Sequence, residues 1–232
     1  MIMKLNKLKI YKIFLYLTFL LIFFSFSNKN NEKESLLVED LFNLANLRIN
    51  DSESFRFILS HENGFTSLPG DYKISYAEGN IEKPDKLLIK AEIISNNFLI
   101  KLSYLTMEND YWITNPINFN WIKTPEEDNP FKNIKPINIL SEIFSEIEDE
   151  SIMNVDKNLY QVEAKINSEN LKSLVGDIII PQNKVNVELF ITDDGIVERI
   201  NIYGKVQPQD SSNTIRKIKF ENWNQAILWE KP

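Results

Sequence analysis

Residues 185–203 read VNVELFITDDGIVERINIY. Apolar residues recur at every second position on both sides of Asp193-Asp194-Gly195, the period of a half-buried strand, and Asp-Gly suits the positive backbone angles of a tight turn. The stretch therefore predicts a β-hairpin, 185–192 against 196–203, with one apolar face. The same period extends outward through the chain. Phe55, Phe57 and Leu59 alternate with Arg56 and Ser60; Tyr72, Ile74 and Tyr76 with Lys73 and Ser75; Ile100, Leu102 and Tyr104 with Lys101 and Ser103. Further strands are expected at 86–94, 98–106 (after an Asn96-Asn97 turn), 110–113, 159–166 and 215–220.

Three segments change to helical spacing. Leu37, Leu41, Leu44 and Leu47 mark a helix over 34–50, and Ile137, Leu140, Ile143, Phe144 and Ile147 a second one. A short third covers 168–175, with Ser168 as its N-cap and Gly176 as its stop. Segment 115–136 carries four prolines and little periodicity, so it reads as a long crossing loop, and 223–229 closes the chain. About nine mostly consecutive strands and three helices predict an α+β fold, an antiparallel sheet with helices gathered on one side.

The amino terminus is an address. Basic residues 1–12 precede the uncharged run Ile13 to Phe26 (IFLYLTFLLIFFSF), and polar SNKNNEKE follows. This is the layout of an export signal. At about 1.5 Å per residue the run spans roughly 21 Å against a hydrocarbon core of roughly 30 Å. Two outcomes stay open: cleavage near Ser27 releases the protein, or the run remains as a membrane tether. The expected organisation is a signal or anchor over 1–28, a linker over 29–35 and one domain over 36–232.

Composition excludes several functions. The chain has no cysteine, which removes disulfides, thiolate metal sites, a Cys nucleophile and thioether lipidation. Its net charge is −7; the first 28 residues carry four lysines and no acid, which leaves −11 on the rest. Such a body makes a poor nucleic-acid binder. His61 is the sole histidine and reads as a strand-end surface residue. The runs Glu126-Glu127-Asp128 and Glu146 to Glu150 lack the spacing of a calcium loop and read as solvated charge. No phosphate-cradling glycine motif occurs among six glycines. No cofactor is implied and no catalytic residues stand out.

The run Leu174-Val175-Gly176-Asp177, the hairpin around Asp194-Gly195, and the ending Ile218-Lys219-Phe220-Glu221-Asn222-Trp223 resemble the LppX/LprA/LprF/LprG lipoprotein family. Ser54 to Phe57, Ala77-Glu78-Gly79-Asn80-Ile81 before Pro84-Asp85-Lys86, and Tyr111-Trp112 followed by Trp121 fall in the same order, over about residues 35–232. The resemblance implies a strongly curved antiparallel half-barrel with helices on its concave side and an apolar cavity, akin to the LolA/LolB carriers that move acylated lipids or lipoglycans across the envelope. The cysteine those lipoproteins carry after their signal is absent here.

Shielding a 16-carbon acyl chain from water is worth roughly 12 kcal/mol at about 0.8 kcal/mol per methylene, so a carrier needs a dry cavity and no covalent chemistry. Its expected lining is Phe55, Phe57, Leu59, Ile74, Tyr76, Ile100, Leu102, Val187 and Leu189 from strands, with Leu140, Phe144 and Ile147 from a helix. The opposite parity would present Ile58, Leu88, Leu99 and Phe190. Expected partners are an acylated lipid or lipoglycan, the membrane through the amino-terminal segment, and an envelope transporter. The alternative is a surface interaction domain with a filled core and no ligand; a hydrolase stands third.

Overall fold

The computed structural model describes residues 29–232 apart from Pro130, Lys132, Asn133 and Lys157; the expected export signal over 1–28 lies outside the described residues. Two compact units divide the chain, Met1–Asp40 and Leu41–Pro232. Helix α1, Lys29–Asp51, runs through the boundary. The linker expected over 29–35 is instead its opening turns: the Asn, Lys and Glu residues there carry no Gly or Pro to stop a helix.

The twelve strands among the described residues belong to one antiparallel sheet. They are β1 (Ser54–Glu62), β2 (Thr66–Leu68), β3 (Tyr72–Glu82), β4 (Lys86–Ser95), β5 (Phe98–Met107), β6 (Asp110–Thr114), β7 (Trp121–Lys123), β8 (Glu148–Asp156), β9 (Leu159–Asn167), β10 (Lys184–Thr192), β11 (Val197–Tyr203) and β12 (Ile215–Glu221). Their order is β7-β6-β5-β4-β3-β1-β12-β11-β10-β9-β8, with β2 on β3 off that path. The sheet is curved and does not close, the α+β half-barrel expected. Helices α2 (Ile139–Ser145) and α3 (Lys172–Val175) bury apolar side chains in the same core as its inner positions.

Three strands escape the period reading. β2 and β7 are three residues long, too short for alternation to register. β8 is the acidic stretch read as solvated charge; it is an edge strand, where charge is tolerated because one side faces water. The second helix is shorter than expected, and Ile147 lies beyond it. Ser168 does not cap a helix. It opens a 3-10 turn, Ser168–Leu171, and its hydroxyl donates to the Ile180 carbonyl. Gly176, at φ +71°, does end α3.

Asn96 and Asn97 both have positive φ, as the β4–β5 hairpin requires. Gly195, at φ +85°, is fixed twice over: a Cβ there would lie 2.8 Å from the backbone of Leu44.

An ion pair between β12 and the segment that precedes it is buried in the protein. Arg216 donates from both terminal nitrogens to Asp210, at 2.8 and 2.7 Å, and the pair is almost wholly buried. Asp210 also accepts the backbone N–H of Val206 and Gln207, and Arg216 reaches the Phe65 carbonyl, Thr66 and Gln207. Removing one partner leaves the other charge buried alone. Asp210→Ala is expected to cost about 3–5 kcal/mol in urea unfolding, against less than about 1 kcal/mol for Glu148→Ala in the exposed Lys184 pair. Equal costs would sink this assignment. Gly195→Ala should destabilise by more than the roughly 1 kcal/mol of the backbone angle alone, because the added methyl also meets Leu44.

Candidate functional site

The pairing registers decide which side chains face the concavity. Phe57 lies opposite Phe220 and Gly79, Leu59 opposite Ile218 and Ala77, Ala91 opposite Leu102, and Val187 opposite Ala164 and Ile202. Residues directly opposite share a face, so these form one continuous apolar surface. Phe42, Ala45 and Ile49 of α1, Phe131, Ile134, Leu140, Ile143 and Phe144, and Leu171, Leu174 and Val175 all pack into that core. Gly79 is required there: a Cβ would stand 2.5 Å from the Leu88 carbonyl and 2.6 Å from the Phe57 ring.

Phe55, Phe57, Leu59, Ile74, Ile100, Leu102, Leu140, Phe144, Ile147, Val187 and Leu189 belong to this inner side, by register or by packing into its core. Tyr76 does not. A β-bulge between Ile74 and Tyr76 shifts the parity of β3, so Tyr76 lies opposite Ser60 and Glu92 on the outer face and its hydroxyl donates to Glu78. Ile58, Leu88, Leu99 and Phe190 lie on the outer face as well. There Leu88 packs with Leu105, Met107 and Trp112, and Trp229 of the carboxyl-terminal segment covers them, its indole N–H on Glu82.

The concave space is narrow. A cavity of about 170 Å³ opens where the β3–β4 turn meets the 126–137 segment, lined by Ile81, Leu87, Tyr104, Phe131, Ile134 and Ile137 among others, with Asp85, Lys86, Glu126 and Lys135 also contributing. A second space, of only about 20 Å³, lies deeper against Phe57, Leu59, Ile89 and Leu174. Both touch Phe131, Ile134 and Pro136, which stand between them. Ligand cavities commonly measure about 300–1,000 Å³, so the wide cavity expected from the sequence is not open in this structure. Burial pushes the Tyr104 phenol well above its usual range, with Tyr111 and Glu126 adding to the shift. Tyr104 extends the Ile100-Leu102 alternation and was legible. Phe131 and Ile134 sit in the proline-rich segment with no period to mark them.

His61 is not a surface residue. It lies opposite Arg216 on the inner face, half-buried, with one ring nitrogen on the Ser75 carbonyl and the other on the Thr66 hydroxyl, both at 2.9 Å. Neither nitrogen is left to act as a base. Among the described residues no group of three or more His, Asp or Glu side chains is placed to hold a metal ion, and no helix is long and apolar enough to cross a membrane.

This geometry, a one-sided antiparallel half-barrel whose concave face is covered by helices and one long segment, defines the fold class. LprF from Mycobacterium bovis shares it at a TM-score of 0.63 and 12% identity, over 83% of this chain and 95% of that one. The Mycobacterium tuberculosis lipoprotein LppX aligns at a TM-score of 0.55, also at 12% identity, over 84% and 97%. The family likeness expected from the sequence is thus borne out at the level of the fold. No family model matches the sequence, and neither does any curated protein.

Burial, helped by the Arg216 charge and opposed by the bond to Ser75 and the Asp210 charge, lowers the His61 pKa from 6.5 to about 4. Between those values the unfolded chain binds a proton that the folded protein refuses, so stability present above pH 6.5 is lost as pH falls through 4. His61→Gln should remove about 2–3 kcal/mol of that acid-side loss, read from urea midpoints at about pH 7 and about pH 4.5. An unchanged pH dependence would refute it.

Proposed function

We propose that the protein is an exported, non-enzymatic carrier that holds the acyl chains of a lipid or lipoglycan between the concave face of its sheet and the covering segment. The observation that carries this reading is the 170 Å³ apolar cavity and its continuation behind Phe131 and Ile134. Moving those two side chains aside joins the spaces. Their exposure costs roughly 3–6 kcal/mol at about 1.5–3 kcal/mol each, whereas a 16-carbon chain gains roughly 12 kcal/mol on burial. The balance favours occupancy. The apolar run over 13–26 delivers the body to the outer side of the cytoplasmic membrane and, if uncleaved, keeps it there. The other inward-facing strand and helix positions named from the sequence, Tyr76 excluded, line the deeper end of the path, and an envelope transporter supplies or receives the cargo.

The second reading, a surface interaction domain with a filled core, is favoured by one observation. Ile139, Leu140 and Ile143 are almost completely buried against the concave face. Native mass spectrometry of the full chain, purified from a membrane-producing host, separates the two. A stoichiometric acyl lipid, lost in Leu87→Trp without a fall in melting temperature, supports the carrier; a bare protein that also refuses added phospholipid establishes the filled-core domain.

A further inference from the structure

The sequence is one-quarter charged, yet 93–100 and 111–122 contain no charged residue. The first stretch makes the β4–β5 turn and the second the β6–β7 loop. The residues nearest the tips carry large apolar side chains that stay in solvent. Ile117 is 87% exposed, Phe98 73% and Phe119 61%, with Leu99, Trp121 and Ile122 also open to solvent. Register puts the two turns at one end of the sheet. β5 pairs with β6 antiparallel, Tyr104 opposite Ile113, so the chain leaving Thr114 runs towards the level of Leu99 and Phe98 on the adjacent hairpin. The Asn115 carboxamide accepts the N–H of Ile117 and of Asn118, and Phe119 donates back to the Asn115 carbonyl, which holds the loop in a turn with its apolar side chains outward. Phe119 takes φ +59°, a conformation unfavourable for an aromatic residue, so no local preference explains its display.

We propose that this end of the sheet, formed by the tips of the β4–β5 and β6–β7 hairpins, is a docking surface for a lipid bilayer. Six large apolar side chains on two turns, framed by asparagine and free of charge, enter the interfacial region without desolvating an ion, and Trp121 and Phe119 are residue types that settle there. A bilayer is the occupant the chain itself points to, because the apolar run over 13–26 lies outside the described residues and, as a tether, holds the body beside a membrane. The net charge of the body argues against recruitment by anionic headgroups, so the contact is apolar and insensitive to salt. The cavity opening near the β3–β4 turn lies at the other end of these strands, so docking leaves it turned away from the membrane. The inference rests on the tether and not on cargo.

The absence of cysteine makes the test clean. Full-length Ile117→Cys, Phe98→Cys and, as a control on the opposite edge strand, exposed Met153→Cys are labelled with an environment-sensitive nitrobenzoxadiazole probe and reconstituted into phosphatidylcholine vesicles. The expected result is a blue shift and a gain in intensity at positions 117 and 98, none at 153, unchanged between low and high salt and abolished at 117 by Phe119→Ser. Co-flotation with all three probes in water overturns the docking and leaves the tether standing; failure to co-float overturns both. A shift at 117 that grows with the protein-to-lipid ratio means that a second copy covers the patch, and also overturns it.

Discussion

The pairing of β1 with β12 is the contact on which the rest of the molecule depends. Every other junction in the twelve-stranded sheet joins strands close in sequence, but this one brings residues 56–62 against 215–221 and sutures the β3–β7 meander to the β8–β11 meander. Both faces reinforce it. Inside, Phe57 meets Phe220 and Leu59 meets Ile218; outside, Arg56 bridges Glu221 at 2.7 Å and Glu78 at 2.8 Å, spanning three strands. Arg216, the first inward residue of β12, carries the buried pair with Asp210. Without the suture neither half-sheet has a partner for its inner edge, and the concave surface ceases to be continuous. A junction this distant in sequence carries a higher loop-closure entropy than any of the hairpins.

A sheet apolar on one face must be covered, and how tightly it is covered decides between a core and a container. Two kinds of cover meet here. Ile139, Leu140 and Ile143 of α2 are almost completely buried, whereas Glu126, Phe131, Ile134 and Ile137, in and between two 3-10 turns, line the remaining space. The cavity therefore lies against the proline-rich stretch.

Much of this was legible in the sequence because alternation reports burial on one face. It placed Phe55, Phe57 and Leu59, the 185–203 hairpin and the inner side of β5 correctly. It failed where one residue breaks the period: the bulge at Ser75 turns Tyr76 outward, and no pattern in YKISY announces it. It failed again where burial is polar. Arg216 and Asp210 look like any surface charges, and His61 like a strand end, since their partners come from distant parts of the chain. The expectation of an apolar cavity came from the family resemblance, since the period reveals which side chains face inward but not how far the covering residues descend upon them.

The two open edges of the half-barrel are guarded in opposite ways. β8 carries Glu148, Asp149 and Glu150, two register shifts and ion pairs to Lys184 and Lys165, all of which discourage another strand from adding to it. β7 is protected by brevity, three residues long, and beside it lie the uncharged tips. Charge near β8 resists a low-dielectric surface as well as β-pairing, while the tips over 93–100 and 111–122 carry no ion to desolvate. Orientation at a membrane is then fixed by exclusion at one edge as much as by apolar attraction at the other, and both follow from the uneven distribution of charge along the chain.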